Sequence, residues 1–244
     1  MKRKIKQALK RFLARWGLRV GFVSKGELSP ETKVLWLKRL GIRTIIDVGA
    51  SKGNFSFEFH GLFPDAHIFA FEPLHDCFQL TINKMQGIPN FTAYNIALSD
   101  SRGEQEIYRS SYSGASSLIP MAPLQKELFP VTAGQTREKI KTDTLDAVLG
   151  SVKLEEPMLI KLDVQGTEDV VIRGGRSLFR RAKIVITETS FQKLYEHQPL
   201  FNDICKQLEE LEYRYVGIWG EGDFRSPIDG RPLQQDSIFL REDA

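Results

Sequence analysis

Short runs of apolar residues alternate with amphipathic segments along most of the chain. The runs are rich in Ile, Val, Leu and Phe, as expected of strands that are buried on both faces. They occupy Thr44–Val48, His67–Phe71, 91–96, Met158–Leu162, 183–187, 213–219 and 237–240. Segments with apolar residues at helical spacing separate most of them, for example 55–63 and 199–211. This alternation predicts an α/β fold, in which a mostly parallel sheet carries helices on both faces.

The stretch from residue 99 to residue 141 does not follow the alternation. Polar and apolar residues alternate at 105–108, five serines fall within 110–117, and three prolines come after them. We interpret the stretch as a hairpin and loop inserted at one edge of the sheet. Long irregular insertions often form binding loops or lids. The hydroxyl side chains would suit a pocket for a sugar, and an ordinary surface loop is the alternative.

The first 42 residues differ from the rest of the chain in charge. Residues 1–26 contain nine Lys or Arg and no Asp or Glu, whereas the remainder has more acidic than basic residues. Five apolar residues of this segment recur at helical spacing on one face: Ile5, Leu9, Phe12, Leu13 and Trp16. A second helix is predicted at 31–40. We therefore predict a basic helical extension at 1–42 and one larger domain at 43–244.

Three roles are open for the basic extension. Residues 1–20 would suit peripheral contact with anionic lipid, where Lys and Arg attract the headgroups and the aromatic residues insert. An Arg-rich segment without acids also resembles a targeting sequence, and a helix that covers the domain is the third reading. Nucleic-acid binding is disfavoured, because the larger domain is net acidic and carries no recognition motif.

The composition excludes several classes of protein. With 41% hydrophobic and 27% charged residues among 244, the chain is globular and not mainly disordered. Cys77 and Cys205 are too few and too far apart for a disulfide scaffold or a cysteine zinc site, and we predict no metal site. No apolar run approaches the roughly 20 residues that span a bilayer. We therefore expect a cytoplasmic protein.

The segment 47–55, with the sequence Asp-Val-Gly-Ala-Ser-Lys-Gly-Asn-Phe, follows the first predicted strand. Glycines at a strand-to-helix turn let the backbone approach a ligand and direct the helix N-terminus towards it. The segment lacks the Gly-Lys-Ser/Thr of a P-loop, and Ser51 replaces the middle glycine of the dinucleotide pattern. Asp47 would repel a pyrophosphate and attract a cationic ligand. A plain strand–turn–helix junction is the alternative.

Glu72 ends the second predicted strand and is followed by Pro73. In open α/β sheets, ligands bind at the carboxyl ends of the strands, where an acid can accept both ribose hydroxyls. Together with Asp47, Glu72 favours an adenosine-bearing cation such as S-adenosylmethionine over NAD. A solvated carboxylate at a strand end is the alternative reading.

Five segments, in order along the chain, resemble the FkbM-type methyltransferases: 47–53, 72–73, 95–100, 144–146 and 160–168. The most specific is the Lys-x-Asp-Val-x-Gly-x-Glu pattern within the last segment. The resemblance implies a Rossmann-like class I methyltransferase fold, with a seven-stranded sheet whose last strand is antiparallel. It also implies methylation of a hydroxyl, typically of a sugar in a glycan, a glycolipid or a secondary metabolite.

The resemblance further implies S-adenosylmethionine as the cofactor. The positions that match the family place its binding site at the ends of the first strands and in the turns that follow them. The residues concerned are Asp47, Gly49, Ala50, Ser51, Gly53, Asn54, Phe55, Glu72, Pro73, Asn95, Ala97 and Asp163.

Methyl transfer to a hydroxyl is an in-line displacement in which a base removes the hydroxyl proton. Asp163 is the first candidate base, because it ends a strand beside the expected position of the methyl group. Glu168 and Glu188 are the next candidates. Glu168 could instead be an acid in the first turn of a helix, and Glu188 could be an ordinary strand-end carboxylate.

Gln165 stands where the family usually has Glu. An amide does not accept a proton at neutral pH, so either a catalytic carboxylate has been lost or the position serves hydrogen bonding for which both residues are suitable. The first reading makes a non-catalytic nucleoside-binding module an alternative to an enzyme. An NAD-dependent oxidoreductase is a further alternative.

Overall fold

The computed structural model describes residues 30–220 and 224–241. The predictions for residues 1–20, including lipid contact, lie outside these residues. The chain divides into two compact units, residues 1–40 and 41–244. In the first unit the described part is one helix, α1, at Pro30–Lys38. No helix among the described residues is long and apolar enough to cross a membrane.

The second unit contains a large mixed sheet and a small one. The strands are β1 Thr44–Val48, β2 His67–Phe71, β3 Phe91–Tyr94, β4 Ala97–Leu98, β5 Gly103–Ser110, β6 Gln135–Asp143, β7 Met158–Leu162, β8 Ile184–Ser190, β9 Tyr213–Ile218, β10 Phe224–Arg225 and β11 Pro232–Arg241. The helices are α2 Asn54–Leu62, α3 His75–Lys84, α4 Pro123–Leu128, α5 Leu145–Leu149, α6 Glu168–Gly174, α7 Arg176–Phe179 and α8 Phe201–Glu209.

The large sheet has the strand order β3-β2-β1-β7-β8-β11, and both β9 and β10 pair with β11. Five neighbouring strands of this sheet are parallel: β3, β2, β1, β7 and β8. Strand β11 is antiparallel to β8 along seven residue pairs. The predicted α/β fold with an antiparallel last strand is therefore confirmed. The two-residue β10 adds an eighth strand that the hydrophobic pattern does not reveal, because both its residues are exposed.

The central strands are buried on both faces, which explains their continuous apolar character. Every residue of β1 and β7 is buried, and Ile46 and Ile160 belong to the main core with side chains of α5, α6 and α8. The motif at 144–146 stabilises this layer. Its Asp146 carboxylate accepts the backbone N–H groups of Ser177 and Leu178 in α7.

The insertion forms the small sheet and a cover over the carboxyl ends of the large one. Strands β5 and β6 pair along eight residues, and β4 adds to β6. Strands β5 and β6 thus form a hairpin, and the connection between them has secondary structure of its own. The connection contains α4 and two short 3-10 turns, Ser113–Ala115 and Pro130–Thr132. A local core of Met121, Leu128, Leu194, Tyr195 and Leu233 holds it in place.

Candidate methyl-donor and acceptor site

The turn after β1 requires glycine at its first position. Gly49 has a φ of 79°, and a Cβ atom there would lie 1.9 Å from the carbonyl oxygen of Asp163. Backbone N–H groups of Gly49 and Ala50 donate to the Phe71 carbonyl, which ties the turn to the end of β2. The turn therefore runs close to β7 and β2, and α2 begins directly after it.

Glu72 is buried at the end of β2 and is held by backbone amides. Its Oε2 accepts the N–H of Ser51 at 2.8 Å, and its Oε1 accepts the N–H of Leu74 at 2.8 Å. Burial raises the pKa of Glu72 to about 7, and the bonds from Leu74 and Ser51 limit the rise. Asn95 supports the same corner, because its Nδ2 donates to the carbonyls of Glu72 and Pro73.

A buried ion cluster connects β1 to β7. The Lys161 ammonium lies 3.5 Å from Asp47 Oδ1 and 3.5 Å from Asp163 Oδ2, and it donates to the Gly49 carbonyl at 3.1 Å. Burial alone would lower the pKa of Lys161, but the charges of Asp163 and Asp47 raise it above its ordinary value. Asp47 also accepts the Ser56 hydroxyl at 2.7 Å. Lys161 therefore stays charged.

The Gln165 amide bridges two carboxylates. One is that of Asp163, directly after β7, and the other is that of Glu188 in β8. Gln165 Nε2 donates to Asp163 Oδ1 at 2.7 Å and to Glu188 Oε2 at 2.8 Å. The other oxygen of Glu188 accepts the amide of Gln234 from β11. Burial and then the charge of Asp163 raise the pKa of Glu188 well above its ordinary value.

Glu168 holds the turn that carries Gln165. Its carboxylate accepts the backbone N–H groups of Val164 and Gly166 at 3.1 to 3.2 Å, and only 4% of the residue is exposed. Burial raises the pKa of Glu168 to about 7. Because its carboxylate faces the backbone of the turn, its position does not support the predicted role as a base.

A cavity of about 520 Å³ opens between the sheet ends and the insertion. Seven of the predicted site residues line it: Gly49, Ser51, Glu72, Pro73, Ala97, Asp163 and Glu188. The other seven are not among the residues that line it: Asp47, Ala50, Gly53, Asn54, Phe55, Asn95 and Glu168. Several of these support the lining, as Asp47, Asn95 and Glu168 do. Phe55 instead stacks on Phe59 with ring centres 3.9 Å apart.

The insertion supplies the opposite wall. The 3-10 turn at Ser113–Ala115 and the serines after it line the cavity, together with Gln125, Phe129 and Val131. Of the five serines in 110–117, Ser113, Ser116 and Ser117 line the cavity, and the hydroxyls of the last two bind the protein itself. Ser116 Oγ accepts the Ser110 N–H at 3.0 Å, and Ser117 Oγ donates to the Gln165 carbonyl at 2.6 Å.

Three residues that the structure places at the site were not singled out from the sequence: Lys161, Tyr195 and Gln125. Lys161 had a visible signal, because a lysine within an apolar strand is costly to bury unless it is paired. Tyr195 donates its hydroxyl to Gln165 Oε1 at 2.8 Å, and Gln125 lines the cavity from α4. Neither has a signal in the local sequence, because the long-range fold brings each to the site.

Comparisons with known proteins cover most of the same residues. Residues 47–215 match the family described as the methyltransferase FkbM domain. The chain is 29% identical over 176 residues to the 2-O-methyltransferase NoeI of Sinorhizobium fredii, in a match that covers 69% of this chain and 72% of that protein. The family match includes the glycine turn, Glu72 and the group formed by Asp163, Gln165 and Glu188.

Two solved structures are similar at low identity. Precorrin-6y C5,15-methyltransferase from Geobacter metallireducens has 12% identity and a TM-score of 0.46, and the match covers 91% of this chain and 94% of that one. Magnesium protoporphyrin IX methyltransferase from Synechocystis, solved with bound S-adenosylmethionine, has 11% identity and a TM-score of 0.46, with 97% of each chain covered.

Proposed function

Since this chain belongs to the FkbM family of S-adenosylmethionine-dependent methyltransferases, we propose that it methylates a hydroxyl of a sugar in a glycan, a glycolipid or a secondary metabolite. One observation carries the proposal: a single cavity joins Glu72 to the carboxylates of Asp163 and Glu188. The similarity to a 2-O-methyltransferase supports oxygen as the methylated atom. The family membership disfavours the NAD-dependent oxidoreductase.

The Glu72 corner fits the ribose of the methyl donor. Each carboxylate oxygen accepts one backbone N–H, so each keeps a lone pair for a ribose hydroxyl. The Gly49 turn leaves the cavity open beside this carboxylate, and Asn95 keeps the corner in shape. S-adenosylmethionine, when bound there, supplies a methyl group on a positively charged sulfur.

The charge at the cavity floor favours a cation. Asp47 and Asp163 share the one ammonium group of Lys161, and Glu188 adds a further acidic group that lines the cavity. Opposite charges attract strongly where little water screens them. These carboxylates therefore hold a cationic methyl donor more tightly than its neutral product.

The acceptor side offers unpaired hydrogen-bond acceptors. Gln125 Oε1 and Thr167 Oγ1 are buried in residues that line the cavity and have no partner among the described residues. A sugar hydroxyl can donate to such an oxygen, which removes the penalty of an unsatisfied buried group. Phe129, Val131 and Phe224 form an apolar rim beside them. The wall therefore suits a hydroxylated ring that also has an apolar face or substituent.

Transfer of a labelled methyl group tests the proposal. The purified protein is incubated with labelled S-adenosylmethionine and a panel of monosaccharides, glycans and glycolipids, and the labelled atom is identified by NMR. We expect label on a hydroxyl oxygen of at least one acceptor. Binding of the methyl donor without transfer to any acceptor would favour the non-catalytic module, and label on nitrogen would contradict the proposal.

A variant on the acceptor side sharpens the test. We expect Gln125→Leu to raise KM for the sugar without changing the affinity for S-adenosylmethionine, because Gln125 lies on the wall contributed by the insertion. Gln207→Leu is the matched control, since Gln207 does not line the cavity and donates to the Asp169 carbonyl at 3.0 Å. Equal KM values for the two variants would remove Gln125 from the acceptor site.

A further inference from the structure

The Gln165 amide uses all its hydrogen-bonding groups within the site. Both hydrogens of Nε2 are donated, one to Asp163 and one to Glu188. The Tyr195 hydroxyl, which lies 3.1 Å from the Ala115 carbonyl, donates to Oε1 and fixes the orientation of the amide. An ionised carboxylate at position 165 could donate neither bond. Gln therefore makes contacts here that Glu would make only with a proton or a cation between the groups.

The backbone holds this amide in place. Gln165 has a φ of 58°, which non-glycine residues adopt rarely. The Ser117 hydroxyl donates to its carbonyl at 2.6 Å, and the Glu168 carboxylate binds the N–H groups on both sides of it. The turn is thus fixed from the insertion and from α6, so the amide is a rigid support for the two carboxylates.

The two carboxylates differ in their other partners. Asp163 lies 3.5 Å from the Lys161 ammonium, so its carboxylate is paired with a cation. Glu188 receives its two side-chain hydrogen bonds from neutral amides, those of Gln165 and Gln234. Burial raises the pKa of Glu188 well above its ordinary value. The two carboxylates are therefore held differently, Asp163 by a cation and an amide and Glu188 by two amides.

The charged and titratable groups that face Glu188 come from β7, α6, β11 and the segment after β8. They are Lys161, Asp163, Glu168, Asp236 and Tyr195. The charges of the three acids raise the pKa of Glu188 and that of Lys161 lowers it. A bound cation in the cavity would act in the same direction as Lys161 and favour the ionised, proton-accepting form.

On the basis of the proposed transfer to a hydroxyl, we propose that Glu188 is the base and that Gln165 positions it beside Asp163 without a metal ion. The acceptor O–H bond breaks, and its proton moves to the Glu188 carboxylate. The electron pair of that oxygen forms the bond to the methyl carbon, while the pair of the carbon–sulfur bond remains on sulfur. Glu188 then gives the proton to water, and Asp163 stays paired with Lys161.

Kinetics of two isosteric variants test the choice of base. Glu188→Gln should lower kcat about 10²–10⁴-fold, the contribution of a positioned base. The rise of kcat with pH, which reports ionisation of the base, should disappear in this variant and persist in Asp163→Asn. The opposite pattern, with the pH dependence lost in Asp163→Asn and kept in Glu188→Gln, would overturn the assignment.

The role of Gln165 has its own readout. Gln165→Leu keeps the size of the side chain but removes the hydrogen bond that favours ionised Glu188, so the pKa of Glu188 should rise. Carbon NMR of labelled Glu follows this titration without any acceptor, with Gln207→Leu as the control. A merely structural role would lower stability and leave the pKa of Glu188 unchanged, and that result would overturn the positioning role.

Placing a third carboxylate at position 165 tests whether the Gln165 amide takes the place that a metal ion would otherwise fill between the acidic groups. Gln165→Glu should bind Mn²⁺ in a titration calorimeter, whereas the unaltered protein and Gln207→Leu should bind none, and transfer should resist a chelator. Dependence of the unaltered protein on Mn²⁺, or absence of binding by Gln165→Glu, would overturn the metal-free arrangement. If no hydroxyl is methylated at all, the proposed function fails, while the NMR and Mn²⁺ results still decide the role of Gln165.

Discussion

Replacement of Lys161 by Met should destabilise the protein strongly. The Lys161 side chain is 11% exposed and that of Asp47 is fully buried. Met fills the same space but leaves Asp47 with only the Ser56 hydroxyl as a partner. Removal of one member of a buried ion pair leaves an uncompensated charge and typically lowers the free energy of unfolding by about 3–5 kcal/mol. We expect a loss of that size for Lys161→Met.

Urea denaturation measures this loss, and a surface pair provides the matched control. Arg43 and Glu155 are 3.3 Å apart with side chains 46% and 60% exposed, so Arg43→Met should lower the free energy of unfolding by at most about 1 kcal/mol. Adding Asp47→Asn to Lys161→Met should restore part of the stability, because the unpaired charge is then absent. Equal losses for Lys161→Met and Arg43→Met would refute the reasoning.

Three further outcomes follow from the site, and a fourth concerns the basic extension. Glu72→Gln should weaken the binding of adenosine by about 1.5–3 kcal/mol, the contribution of a hydrogen bond to a charged group; calorimetry with an unchanged affinity would contradict this. Burial raises the pKa of Glu72 to about 7, and the ionised form accepts both ribose hydroxyls. The affinity for adenosine should therefore rise from about pH 6 to about pH 8 and level off above the pKa. If a Glu72→Gln protein kept this pH dependence, another group would be responsible for it. Gly49→Ala places a Cβ atom 1.9 Å from the carbonyl oxygen of Asp163, at a residue with a positive φ. The free energy of unfolding should therefore fall by at least about 1–2 kcal/mol, and the melting temperature should fall with it. A wild-type melting temperature would argue against the close approach. Deletion of residues 1–20 should reduce sedimentation with anionic vesicles, and equal sedimentation of both proteins would exclude lipid contact by that segment.

The hydrophobic pattern predicted the large sheet because the parallel strands are buried on both faces. Thr44–Val48 and Met158–Leu162 are continuous apolar runs for that reason, apart from the paired Asp47 and Lys161. The insertion was less accessible to this reasoning. Its helix α4 has six residues, and its core depends on Leu194, Tyr195 and Leu233 from distant parts of the chain. A short helix with distant partners leaves little periodicity in its own sequence.

The sequence also identified residues whose type is set by their place at the end of a strand. Gly49 is needed where the backbone of one strand end passes another, and Glu72 ends a strand at the edge where ligands bind in such sheets. Glu168 shows the limit of this reasoning. A carboxylate near a strand end was a plausible base by residue type, but the turn between β7 and α6 directs it to backbone amides.

By itself, the sequence determined the fold class and the family and predicted the corner at Glu72 that we propose for the methyl donor, because the motifs concerned are short and local in the chain. The tertiary structure decided how the acidic groups are used. Gln165 reaches Glu188 across 23 residues, and Gln234 reaches the same carboxylate across 46. Only the pairing of β7, β8 and β11 brings these side chains within hydrogen-bond distance. Whether a carboxylate is ion-paired, bonded to an amide or facing the cavity depends on those neighbours, and they set its basicity.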